Sequence, residues 1–87
     1  MALGELERRW KDVVGERLAR ESRPGTLEGG LLLVRASSQA WAAQVAFLAE
    51  EVRVRAEEVL GAGTIRSVRV VVDVAAYSSA RRPGGPG

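Results

Sequence analysis

The groups that could do chemistry in this chain are carboxylates and guanidinium ions, because the sequence holds no cysteine and no histidine. Without thiolate or imidazole, the commonest metal ligands, the strongest neutral-pH nucleophile and the usual proton shuttle are all missing. The nearest approach to an acid–base constellation is Glu50/Glu51 with Glu57/Glu58. These carboxylates fall where a solvated helix face is expected, with no nucleophile or metal ligand beside them. The pattern points away from an enzyme, and it implies no cofactor and no small-molecule substrate.

The cations say more about binding. Lys and Arg number 13 against 11 Asp and Glu, a formal charge of +2 with a sequence pI near 9.9, which tolerates a nucleic-acid partner without demanding one. Lys11 is the only lysine. Arginine forks suit phosphate and carboxylate pairing, although a high-GC genome would produce the same bias. Arg35, Arg66 and Arg69 fall on segments that read as neighbouring strands, and Arg35 and Arg69 share an open sheet face with Leu31, Leu33 and Val71. Such a face could hold nucleic acid or a protein; a solvated face with Arg stems covering apolar surface would look the same. Arg81 and Arg82 form a charge pair in a linker-like tail, able to touch phosphate without reading sequence, or simply keeping the linker soluble. Trp10 and Trp41 could stack on bases, but both sit in apolar helical stripes, the mark of core packing.

These residues need a scaffold, and 87 residues leave room for one hydrophobic core. With 46% hydrophobic and 28% charged residues the composition is that of a folded domain. Leu3, Leu6, Trp10, Val13, Val14 and Leu18 recur at helical spacing, so the pattern predicts a helical region from about Leu3 to Glu21, broken between Val14 and Glu16 at Gly15. Pro24 ends it, because the residue before a proline is pushed toward extended backbone. A short strand at Thr26 and Leu27, a turn over Glu28-Gly29-Gly30 and a longer strand from Leu31 read as a β-hairpin, with Leu32, Val34 and Ala36 facing the core. A helix from about Ser38 to Leu60 follows, carrying Trp41, Val45, Leu48, Val52, Ala56 and Val59 as one stripe and stopping at Gly61. A last strand from about Ile65 to Val74 alternates Val68, Val70, Val72 and Val74 with Ser67, Arg69, Val71 and Asp73. The fold class is therefore α+β in the order α-β-β-α-β, a three-stranded sheet with both helices on one face. This domain spans residues 1–76, and residues 77–87 have the composition of a disordered Arg/Pro/Gly tail.

With Leu6, Trp10, Val13-Val14-Gly15, Leu18-Ala19, Arg23-Pro24, the glycine turn before Leu31 to Val34, Ser37-Ser38, Trp41-Ala42, Gln44 and Leu60-Gly61 in place, the chain resembles the DciA family from about Leu6 to Val74. The resemblance implies a KH-like fold, binding to the bacterial replicative helicase, and contact with DNA at replication initiation. The GxxG loop that clamps nucleic-acid backbone in KH domains is missing, since Gly61-Ala62-Gly63 follows the helix with the wrong spacing.

A partner surface can be read from the residues as well. Ala40, Ala43, Phe47 and Val54 form a second apolar line on the long helix, turned away from the Trp41 stripe and flanked by Glu50, Glu51, Glu57 and Glu58. Either the first helix or the tail covers Phe47, or Phe47 and Val54 dock a helical partner; Leu31 and Leu33 on the open sheet face are the other candidates. The acidic flanks argue against DNA there. No apolar run approaches the roughly 18 residues of a membrane span, and Met1 to Glu5 lack the pattern of a signal peptide. The expected location is cytoplasmic, at the nucleoid. Two function classes remain: a helicase adaptor with weak, non-specific DNA binding, and a protein-only interaction module without DNA affinity.

Overall fold

Leu6, Trp10, Val13 and Leu18 are all buried, but a computed structural model, which describes residues 2–73, spreads them over three short helices. These are α1 (Ala2–Arg8), α2 (Trp10–Val14) and α3 (Glu16–Glu21). The break at Gly15 lies where the sequence places it. Its φ of 91° and ψ of 161° are open to glycine and costly for any residue with a Cβ, so the chain changes direction there. The earlier break at Arg9 was not expected. Its N–H is shared between the carbonyls of Glu5 and Leu6, at 3.1 and 3.2 Å, the tightened turn that ends many short helices.

Strand β1 (Ser22–Glu28) begins directly after α3 and is longer than the Thr26-Leu27 expectation. Pro24 does more than stop the helix. It is buried opposite Val34, and the register shifts between Pro24 and Thr26, leaving Gly25 as the extra residue of a bulge. The turn at Gly29-Gly30, both with positive φ, returns the chain into β2 (Leu31–Ala36), antiparallel to β1. β3 (Ser67–Val72) pairs in parallel with the other edge of β2, giving a mixed sheet of order β1-β2-β3. It is shorter than expected: Ile65 lies in the preceding loop, still buried at 1% exposure.

The crossover between β2 and β3 is helical, as a parallel connection of this length usually is. Ser38 caps its start by accepting the Trp41 N–H, at 3.2 Å. The expected continuous helix is in fact two, α4 (Gln39–Phe47) and α5 (Ala49–Leu60), with Leu48 between them at φ −99° and ψ 15°. The Leu48 N–H splits between the carbonyls of Gln44 and Val45, and neither glycine nor proline marks the place. Val45, Val52 and Ala56 are buried, while Trp41, Leu48 and Val59 are only partly so. Trp41 is thus half-open, contrary to a core reading. Leu32, Val34 and Ala36 take the core face with no exposure, and the helices pack against that face. No helix among the described residues is long and apolar enough to cross a membrane. The expected tail from Tyr77, with Arg81 and Arg82, lies outside the described residues.

Candidate functional site

Strand alternation builds the first candidate surface on the sheet face away from the helices. The register sets Arg23, Arg35 and Val71 in one row across the sheet, Thr26, Leu33 and Arg69 in the next, and Glu28, Leu31 and Ser67 in the third. Leu31, Leu33 and Val71 are half-buried and Arg69 is exposed. Arg35 Nη1 donates to Asp73 Oδ2 at 3.0 Å, and its stem passes over Gly25, where a Cβ would stand 2.8 Å from Nε. The absent side chain at the bulge is therefore what lets Arg35 lie across the sheet. Arg69 forms no ion pair among the described residues. Arg35 and Arg69 share this face as the sequence suggested.

Arg66 does not join them. It precedes β3, its alternation is that of Val68 and not of Arg69, and its stem lies against Gly30, where a Cβ would come within 2.6 Å of Cδ. Its backbone N–H donates to the Gly30 carbonyl at 2.7 Å. Arg66 thus sits over the hairpin turn at the end of the sheet.

The second surface is on α4 and α5. Phe47 is 84% and Val54 44% exposed, the large hydrophobic side chains left open among the described residues. α1 packs against α5 elsewhere, so the first helix does not cover Phe47. Val54 forms the floor of a shallow depression of about 240 Å³ rimmed by Glu50, Glu51, Arg55 and Glu58. On the flank Arg53 pairs with Glu50 and, at 3.2 Å, with Glu57. The hydrogen bond from Arg53, reinforced by its charge, holds the Glu50 carboxyl below the usual carboxylate range. The same bond and charge raise Arg53.

Glu57 departs from the acidic flank read from sequence. Its Oε1 takes Arg53, and its Oε2 accepts the backbone N–H of Ile65 at 3.0 Å, so it ties α5 to the loop that leads into β3. Sequence reading also missed Ser22, the one buried polar residue among the described ones. Its Oγ accepts from Trp10 Nε1 at 3.1 Å and donates to the Leu18 carbonyl at 2.7 Å. Trp10 is a core residue with its polar atom satisfied, as buried tryptophans require. No group of three or more acidic side chains among the described residues could hold a metal ion.

A basic, partly apolar sheet face and a separate acid-rimmed apolar ridge, both carried on one small α+β core, define a class of protein whose candidate sites are surfaces rather than a cleft. The chain belongs to the DciA family: the model described as "Dna[CI] antecedent, DciA" matches residues 1–70. Among curated relatives it is 37% identical to a UPF0232 protein of Streptomyces avermitilis over 98% of this chain and 42% of that protein. It is 34% identical to a UPF0232 protein of Rhodococcus jostii over 77% of this chain and 36% of that one. With its counterpart from Mycolicibacterium smegmatis the identity is 32%, over 82% and 37%. The chain thus spans less than half the length of each of these three relatives.

Proposed function

We propose that this domain is a non-enzymatic adaptor that binds the bacterial replicative helicase and assists its loading, with weak, sequence-independent DNA binding beside it. Family membership over residues 1–70 supports the partner, and such a role belongs in the cytoplasm, at the nucleoid. The observation that carries the reading is Phe47, a large aromatic side chain left 84% exposed on a folded domain. Exposed aromatics of this kind serve as interface anchors. Phe47 and Val54 are the helicase contact, and Leu31 and Leu33 on the sheet face are the alternative. DNA lies on the sheet face, where Arg69 offers an unpaired guanidinium, Arg35 one shared with Asp73, and Arg66 a contact at the rim. Arg81 and Arg82 add phosphate contacts from the tail.

Calorimetry with the replicative helicase of the same organism tests the partner. Binding at tens of micromolar protein is expected, with Phe47→Ala weakening it about 30-fold, the scale of a hot-spot side chain. Absence of binding by the folded wild-type protein overturns the reading. DNA binding that falls with added salt separates the adaptor from a protein-only module.

A further inference from the structure

Arg17 and Trp41 both depart from the pattern around them, and they meet at one place. Arg17 occupies a position in the apolar stripe of the N-terminal helices yet is exposed; Trp41 lies in the stripe of the crossover helix yet is half-open. Between them is an open depression of about 530 Å³. Val14, Leu18 and Trp41 form its apolar wall, Glu16, Arg17 and Gln44 its polar rim, and Gly15 the corner where α2 turns into α3. Arg17 makes no ion pair among the described residues, and neither does Arg20 one turn further along α3. The Trp41 indole N–H has no hydrogen-bond partner, unlike that of Trp10. Since no buried side-chain donor lacks a partner, that N–H opens to solvent.

We propose that this depression receives an unpaired nucleotide of single-stranded DNA, the base lying on the Trp41 indole and the phosphate on the Arg17 guanidinium. The volume falls within the range of ligand sites, about 300–1,000 Å³, and the open side lets a strand enter and leave. An aromatic face beside a free guanidinium matches a base joined to its phosphate. Gln44 reaches the base edge, and Glu16 confines the phosphate to the Arg17 side by charge repulsion. A duplex has no free base face to offer, so the site discriminates strandedness. This assignment rests on the DNA-binding half of the proposed function.

The test is a titration of the full chain, followed by tryptophan emission and separately by oligonucleotide anisotropy, with a deoxythymidine oligomer of about ten residues, within the usual footprint of such sites. The expected result is quenching by the single strand and none by a duplex of equal length. Arg17→Gln should weaken binding about ten-fold, the scale of one stacked and phosphate-anchored base. Trp41→Phe should abolish the quench although Trp10 still emits. Arg17 is exposed, so its variant should keep the wild-type thermal midpoint. Binding by anisotropy without quenching, or an Arg17→Gln variant of unchanged affinity, overturns the site and leaves DNA on the sheet face. Equal quenching by duplex overturns the strand preference. Quenching by the helicase and not by DNA makes the depression a protein contact and overturns the assignment. Absence of any DNA binding removes both this site and the DNA half of the proposed function.

Discussion

Ser22→Ala should destabilise the domain by about 2 kcal/mol, far more than the loss of one oxygen atom suggests. Ser22 has no exposure, and its hydroxyl joins Trp10 on α2 to the Leu18 carbonyl at the end of α3. Removing it strands the Trp10 indole N–H inside the core, at 4% residue exposure. An unsatisfied buried donor costs about 1–3 kcal/mol. The Leu18 carbonyl loses its hydroxyl donor at the same time. A water cannot substitute, because the vacated space is about one hydroxyl, well below the roughly 30 Å³ that a water occupies in the liquid. Small domains have total stabilities of about 5–15 kcal/mol and urea slopes of about 1–3 kcal/mol per molar. The urea midpoint, followed by circular dichroism, should therefore fall by about 1 M with an unchanged slope. Trp10→Phe on the Ser22→Ala background removes the stranded donor, so the double-mutant cycle should show coupling of about 1 kcal/mol or more. A Ser22→Ala loss under about 0.5 kcal/mol, or strictly additive effects, would refute the reasoning.

Phe47→Ala should leave the thermal midpoint unchanged, since the side chain is 84% exposed; a lowered midpoint would mean that Phe47 supports the fold and that its binding effect is indirect. Duplex DNA affinity should fall with salt at a log–log slope of about −2 to −3, for about three phosphate contacts. Arg69→Ala should make that slope shallower by about 1, and Arg35→Ala should do less because Asp73 already holds its guanidinium. The folded-state pKa of Glu50 lies below its ordinary value of 4.5. The Arg53 pair therefore contributes its stability above that pH and loses it as pH falls through the lower folded value. Thermal melts from about pH 6 to pH 3 should show a small acid-side slope that Glu50→Gln reduces and salt weakens, as expected for an exposed pair; an identical profile for the variant would rule the pair out.

The sheet was legible wherever alternation was strict. Leu32, Val34 and Ala36 are buried because a strand with one packed face can satisfy only one register, and the same parity placed Arg35 with Arg69. Gly15 and Gly61 were legible as breaks because positive φ values favour glycine. The breaks at Arg9 and Leu48 carry no such signal. They arise from how short helices settle on the sheet, and the break at Leu48 is why one straight stripe from Trp41 to Val59 did not predict a half-open Trp41. The parallel pairing of β3 was likewise invisible locally. Ser22 and Glu57 owe their roles to partners 12 and 8 residues away, distances at which no periodic pattern points from one residue to the other. Of the surface residues, exposure of Phe47 followed from its place off the stripe, whereas Arg66 was misplaced because β3 begins one residue after it.

The parallel union of β2 with β3 also sets an order of events in time. The hairpin closes through a two-residue turn and can form in about 1–10 μs, but β3 cannot reach β2 until the stretch from Ser37 to Arg66 has been looped back. Closing a segment of that length carries an entropic cost of about 3 kcal/mol, returned only when Val68 and Val70 meet the core. A chain leaving the ribosome therefore exposes the outer edge of β2, from Leu31 to Ala36, throughout synthesis of the crossover. We expect pulse-labelled hydrogen exchange to protect the hairpin amides before those of β3; simultaneous protection would contradict this order. Until β3 arrives, that uncovered strand edge is where a nascent copy is most open to pairing with the wrong neighbour.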